Sequence, residues 1–263
     1  MAVSIHDLAS FKERGERFAM LTAYDFPTAQ ILDEAGIPVL LVGDSLAQVV
    51  LGYDTTIPAS VDEMLHHTRA VARGARNALI VGDMPFGSYG TSLDDGVRNA
   101  VRFMKEGNAH AVKFEGPQME LAERCSAIGV PVMAHLGLTP QSVHLFGGYK
   151  VQGRSEEQAT NILRWAKELE EAGAFALVLE CVPSELAARI TAALSIPTIG
   201  IGAGPDCDGQ VLVINDLLGL TAGKAPKFVK RYENVREMIG EAARTYAGEV
   251  ARGEYPGPEH SYS

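Results

Sequence analysis

Strand-length apolar runs recur along the chain, and most of them are separated by segments whose apolar positions repeat at helical spacing. The runs are Phe18 to Tyr24, Pro38 to Asp44, Ala78 to Met84, Ala111 to Gly116, Pro131 to Gly137, Ala176 to Val182, Pro197 to Gly204 and Gln210 to Asn215. Helical period is clearest over Val61 to Arg76, Leu93 to Glu106, Glu156 to Ala172 and Ser184 to Leu194. Continuous apolar strands alternating with helices predict parallel strands covered on their outer face. Eight such runs in 263 residues predict an α/β fold, a closed (β/α)8 TIM barrel occupying residues 1–263 as a single domain. Only five residues, Pro205 to Gly209, separate the seventh and eighth runs, so one helix is expected to be missing or vestigial. Near the start, Ser4-x-x-Asp7 reads as a capping box opening a short helix through Arg14, expected to cover the barrel bottom. The irregular stretch Thr139 to Arg154, with Gly147, Gly148 and Gly153, has two readings: a lid at the catalytic end or a packed Ω-loop.

Two runs end alike, Val39 to Ser45 and Leu79 to Asp83, each breaking at Gly-Asp. Parallel α/β folds place their chemistry where the strands end. The polar residues there are Tyr24-Asp25, Asp44-Ser45, Asp83, Lys113 with Glu115, His135, Glu180 and Asn215-Asp216. A single Asp or Ser after a strand commonly caps the next helix. Several carboxylates on one rim are another matter, because like charges in a partly dry site repel unless a cation is present. Asp44, Asp83 and Glu115 therefore read as a hard-metal site, with oxygen ligands favouring Mg²⁺ or another hard divalent cation over zinc. Magnesium retains several waters, so some of the three can act through water.

On the fourth strand, Lys113 and Glu115 lie two apart and share a face, with Val112 and Phe114 on the other. A buried structural ion pair is one reading; the sharper one gives Lys113 to a substrate carboxylate. Glu180 ends an uncharged run, and such a setting raises a carboxyl pKa toward that of a general base. His135 reads as a satisfied core or supporting group. Gly200-Ile-Gly202-Ala-Gly204 is not a dinucleotide fingerprint, since Pro205 occupies the third glycine's place and a strand follows; its glycines are expected to admit a ligand to the backbone.

Composition narrows the class. With 46% hydrophobic and 21% charged residues the chain is neither disordered nor membrane-like, and no run nears the ~18 apolar residues of a spanning helix. A net charge of -10 disfavours nucleic acid, which clustered Lys and Arg bind. Met1 to Arg17 lacks the basic-then-apolar layout of a secretion signal, which makes a cytoplasmic protein the expectation. Cys125, Cys181 and Cys207 lie far apart, as free thiols rather than a disulfide framework or zinc knuckle.

With these residues in place, the chain closely resembles the ketopantoate hydroxymethyltransferase family. The match is near full length and runs through Thr22-Ala-Tyr-Asp25, Leu41-Val-Gly-Asp-Ser45, His67-Thr68 and Val112-Lys-Phe-Glu-Gly116. It continues through His135-Leu-Gly-Leu-Thr-Pro-Gln-Ser142, Phe146 to Arg154, Leu179-Glu-Cys-Val-Pro183, Ile199 to Gly204, Asp208-Gly-Gln210, Tyr255-Pro-Gly257 and Glu259-His-Ser261. Pro205-Asp-Cys207 varies from the family pattern and touches only local loop geometry. The resemblance implies a barrel of the phosphoenolpyruvate/pyruvate type. It also implies transfer of a hydroxymethyl group from 5,10-methylenetetrahydrofolate, as co-substrate, to 3-methyl-2-oxobutanoate, giving 2-dehydropantoate and tetrahydrofolate through a metal-stabilised enolate. By motif, Asp44, Asp83 and Glu115 carry over as the metal site, Asp44, Ser45, Asp83 and Lys113 as ketoacid contacts, and Glu180 as proton acceptor. A homodecamer of two pentameric rings is implied as well.

The nearest rival is a lyase of the isocitrate type on the same barrel. Such enzymes carry a Lys-Lys-Cys-Gly-His loop after the fourth strand, whereas Glu115-Gly-Pro-Gln118 here leads into a helix. A non-catalytic binding barrel is disfavoured by retention of every proposed carboxylate and of Lys113.

Overall fold

All eight apolar runs form strands in the computed structural model, which describes residues 2–223 and 225–263. In chain order the elements begin α1 (Ile5–Glu13), β1 (Phe18–Thr22), α2 (Phe26–Glu34), β2 (Val39–Val42), α3 (Leu46–Val49), α4 (Val61–Gly74), β3 (Leu79–Asp83), α5 (Leu93–Lys105), β4 (Ala111–Glu115) and α6 (Met119–Ala127). Then come β5 (Val132–Gly137), a 3₁₀ turn (Pro140–Ser142), α7 (Val143–Phe146), α8 (Glu156–Glu171), β6 (Ala176–Glu180), α9 (Ser184–Ala193), β7 (Thr198–Ile201) and β8 (Gly209–Leu212). The strands are parallel, pair in sequence order, and close where β8 meets β1. The predicted (β/α)8 barrel is therefore present and complete by Leu212.

Alternation along each strand sorts its side chains. The interior is filled at the bottom by Phe18 and Met20, Val39 and Leu41, Leu79 and Val81, Ala111, Met133, Ala176 and Val178, Ile199 and Val211. Helix α1 closes this end, with Leu8 fully buried against these residues and Val3, Ile5 and Phe11 packed around it. Its start is the predicted capping box: the Ser4 hydroxyl accepts from the Asp7 N–H (3.4 Å) and the Asp7 carboxylate accepts from the Ser4 N–H (2.8 Å).

Among the described residues no helix joins β7 to β8, as the short connection predicts. Asp208 ties that connection instead: its carboxylate accepts from the Thr198 N–H (2.8 Å), the Thr198 hydroxyl (3.0 Å) and Lys12 Nζ (2.9 Å). The cysteines are free thiols, Cys125 buried within α6, Cys207 buried, and Cys181 half-buried.

The chain divides into two compact units, the first ending at Val213 and the second covering Ile214–Ser263. The second contains α10 (Ile214–Leu217), α11 (Val235–Arg252) and a 3₁₀ turn at Pro258–His260. No residue of α11 is buried, and its apolar stripe includes Met238, Ile239, Tyr246 and Val250, all exposed. Among the described residues no helix is long and apolar enough to cross a membrane.

Candidate active site

Following the two-residue period upward from the apolar interior predicts which residues enter the barrel at its other end. On β3, Leu79 and Val81 lead to Asp83; on β4, Ala111 leads to Lys113 and Glu115; on β5, Met133 leads to His135; on β6, Ala176 and Val178 lead to Glu180. The register then sets the neighbours. Asp83 pairs with Lys113 and Glu115 with His135, while Glu180 lies beside Gly137. Both glycines next to these residues answer to space. A Cβ on Gly82 would strike the Phe103 ring of α5 at 2.5 Å, and one on Gly137 (φ +97°) would collide with the Glu180 carbonyl oxygen.

The side chains form one connected cluster. Lys113 Nζ stands 2.8 Å from Asp83 Oδ1 and donates to His135 Nδ1 at 3.2 Å. That bond leaves the His135 proton on Nε2, 3.3 Å from Glu180 Oε2. His135 Nδ1 is also 3.8 Å from Glu115 Oε1. From the β2 turn, the Asp44 N–H donates to Asp83 Oδ2 (3.1 Å), and neighbouring Ser45 Oγ lies 2.9 Å from the Tyr24 hydroxyl. Asp44, Asp83, Lys113, Glu115 and His135 are buried, whereas the Glu180 side chain retains 16% exposure at the rim.

Burial governs the protonation balance. It pushes Glu180 up to about 7, with Lys113 partly opposing. It also pushes Asp83 up to about 7, with the Asp44 charge adding and Lys113 opposing, and it carries Glu115 well above the ordinary carboxylate range, helped by Asp44. His135 is driven well below its ordinary value by burial and by Lys113, and so is neutral. Burial alone would lower Lys113, but the charges of Asp83, Glu115 and Asp44 outweigh it and hold the ammonium protonated. Four carboxylates thus face one lysine, and buried Glu115 Oε1 has no hydrogen-bond partner.

An all-oxygen set with excess negative charge and an orphaned oxygen fits a hard divalent cation. Among the described residues no three such side chains are already drawn into a coordination sphere.

Not every polar strand end belongs here. Asp25 caps α2, accepting from the Thr28 N–H at 2.8 Å. Nor do Gly200 and Gly204 leave an open backbone: Ser184 of α9 fills the room at Gly204, and Cys207 Sγ and the Gln210 amide fill that at Gly200, both at 3.1 Å. Two residues that reading of strand ends passed over enter the cluster from loops. Gln141 donates to Asp44 Oδ2 and, through its backbone N–H, to Glu115 Oε2, and the Tyr89 hydroxyl accepts from the Glu115 N–H. The only signal for Gln141 was its place in the His135 to Ser142 run.

Comparison with known proteins shows the family. Residues 2–258 match the family described as ketopantoate hydroxymethyltransferase. The chain is 55% identical over 258 residues to the 3-methyl-2-oxobutanoate hydroxymethyltransferase of Syntrophus aciditrophicus, covering 97% of this chain and 94% of that one. It is 56% identical over 262 residues to that of Moorella thermoacetica, covering 99% and 97%. Among solved structures it resembles phosphonopyruvate hydrolase (TM-score 0.63, 13% identity, 99% and 92% covered). It also resembles 2,3-dimethylmalate lyase of the PEP mutase/isocitrate lyase superfamily (TM-score 0.59, 15% identity, 100% and 93% covered). At those identities the structural likeness concerns the fold alone.

Proposed function

The chain belongs to the ketopantoate hydroxymethyltransferase family of enzymes, and we propose that it transfers the one-carbon unit of 5,10-methylenetetrahydrofolate to 3-methyl-2-oxobutanoate. The products are 2-dehydropantoate and tetrahydrofolate, with one water consumed, at the first step of pantothenate biosynthesis. The observation that carries this reading is Glu180, a rim carboxylate raised to about 7 beside a buried cluster of oxygen ligands with one lysine. A group poised near neutrality suits removal of a proton next to a carbonyl.

Asp44, Asp83 and Glu115 would hold a divalent cation, Mg²⁺ or a similar hard ion. When bound, that ion supplies Lewis acidity to the ketoacid's oxygens. The chain's own groups do the rest. Glu180 takes the C3 proton of the ketoacid, leaving an enolate whose C3 bonds to the one-carbon unit; that unit's two bonds to folate nitrogens break, water supplies its hydroxyl, and the C3 proton and the water's second proton end on the two nitrogens. Neutral His135 places its Nε2 3.3 Å from Glu180 Oε2 and brings no charge to the base. Lys113 offsets the ketoacid carboxylate's charge, and Ser45, held by Tyr24, joins Asp44, Asp83 and Lys113 as a ketoacid contact.

The exposed apolar stripe of α11 supports assembly into a homo-oligomer, which we take to be the family's decamer, and we take the protein to be cytoplasmic. A product assay with the ketoacid and methylenetetrahydrofolate, with and without chelator, tests the reaction. Formation of 2-dehydropantoate that chelation abolishes is expected; none under any divalent-metal condition would sink the reading.

A further inference from the structure

Loop residues Gln141 and Tyr89 link the Asp44 and Glu115 carboxylates, and every side-chain polar atom they bring is used. The Gln141 amide nitrogen donates to Asp44 Oδ2 (2.9 Å) and to the Met84 carbonyl (3.0 Å). Both partners only accept, so the amide has one workable orientation, with Oε1 turned toward the Tyr89 hydroxyl, which donates to it at 2.6 Å. The backbone N–H of Gln141 donates to Glu115 Oε2 (3.0 Å), and the Tyr89 oxygen accepts from the Glu115 N–H (3.0 Å). One oxygen of each carboxylate is therefore held from the same point, and Glu115 Oε1 is left without a hydrogen-bond partner.

The choice of amide and phenol has an electrostatic consequence. Gln141 donates to both carboxylates, through its amide and its backbone N–H, and Tyr89 fixes that amide; neither residue brings a positive charge, so the cluster keeps its net attraction for a cation. A lysine or arginine in that place would neutralise it. Burial and the Glu115 charge hold Tyr89 protonated, well above its ordinary value, so its hydroxyl remains a donor.

We infer that Gln141 and Tyr89 are positioning residues that set the Asp44 and Glu115 carboxylates for the divalent cation. This rests on the reading of Asp44, Asp83 and Glu115 as a cation site. It assigns a task to the first turn of the loop after β5: Pro140 to Ser142 is anchored inside the barrel mouth, while Leu145 and Tyr149 farther along are exposed.

The test is Mn²⁺ binding without substrates, followed by electron paramagnetic resonance on wild type, Gln141→Met, Tyr89→Phe and the double variant, with melting temperatures in parallel. Groups that orient metal ligands change affinity by about 10–100-fold when removed. Gln141→Met is expected to raise the Mn²⁺ Kd by about 10–100-fold, and its turnover should recover toward wild type at saturating Mn²⁺. Tyr89→Phe, which keeps its ring against Phe114 (5.6 Å), should raise Kd less, and the double variant should lose less than the product of the two. A purely structural role would lower the melting temperature with Kd unchanged. An unchanged Kd in Gln141→Met, or in Tyr89→Phe should the former not fold, overturns this inference alone. Absence of a Mn²⁺ isotherm in the wild type overturns the cation reading and this inference with it.

Discussion

The two ends of the barrel bury carboxyl groups in opposite circumstances. At the bottom, Asp33 of α2 accepts from the N–H groups of Arg76 (3.0 Å), Asn77 (2.9 Å) and Ala78 (2.7 Å) and from the Asn77 amide (3.0 Å). Burial alone would raise that carboxyl, yet these bonds outweigh it and hold it below its ordinary range. At the mouth, Glu180 is pushed up to about 7 by burial with only Lys113 in opposition, and Glu115 keeps an orphaned oxygen. A carboxylate whose lone pairs are filled by backbone donors stabilises the fold and can do little chemistry. One left short of donors costs stability and is free to take a proton or a cation.

The largest expected difference between the ends is in rate. Glu180→Gln keeps size and hydrogen bonding but removes the base, and exchange of the ketoacid C3 proton should fall about 10²–10⁴-fold with ketoacid binding retained. In the wild type that exchange should rise with pH through about 7, as Glu180 loses its proton, and then level off. Deuterium exchange followed by NMR checks both; undiminished exchange in the variant removes Glu180 from its role. The counterpart at the bottom is Asp33→Ala, which strands backbone donors at the α4–β3 turn. It should cost about 2–4 kcal/mol in urea unfolding, with turnover per folded molecule unchanged. Because Asp33 is depressed, its contribution is present above the ordinary carboxylate range and is lost as pH falls through its folded value. Loss of activity without loss of stability in Asp33→Ala would erase the contrast.

A third expectation reverses the usual sign for removal of a buried polar group. The Glu180 carboxyl is raised, so its protonated form favours folding, and that advantage is lost as pH rises from the ordinary carboxylate range to about 7. Above pH 7, in chelator, Glu180→Gln should therefore be more stable than wild type by about 1–3 kcal/mol, and the gain should shrink in acid. Equal stability at all pH values would mean that the carboxylate pays nothing for its burial.

These ends also differed in how far the chain's pattern exposed them. Strand continuity and helical period located all eight strands and the helices α4, α5, α8 and α9, with ends shifted by at most three residues. The mouth was legible because strand ends are readable positions: the two-residue period brings Asp83, Lys113, Glu115, His135 and Glu180 inward together. Gln141 and Tyr89 escaped that reading because they arrive from loops, where no period says which side chain turns inward. Asp33 escaped for a further reason. Its partners are backbone groups more than forty residues away, and a backbone N–H has no sequence signature. Asp25, at a strand end like Asp44, proved to be a helix cap, since only the fold decides which carboxylates converge.

The smallest expected effect sits where the bottom makes up for a missing helix. Lys12 of α1 reaches Asp208 Oδ2 and the Thr191 carbonyl, each at 2.9 Å, and thereby ties the N-terminal plug to the bare β7–β8 connection. The pair keeps some solvent, with 15% and 16% exposure, and Asp208 retains its bonds from the Thr198 N–H and hydroxyl when Lys12 is removed. Its charge is thus never left unpartnered, which is the circumstance that makes loss of a buried partner severe. Lys12→Met keeps the aliphatic stem over the barrel floor and should cost only about 1 kcal/mol in urea unfolding, a loss that shrinks in high salt as screening weakens the wild-type pair. A loss several times larger would mean that the plug depends on this single charge, and that the bottom, like the mouth, rests on an electrostatic balance instead of on filled hydrogen bonds.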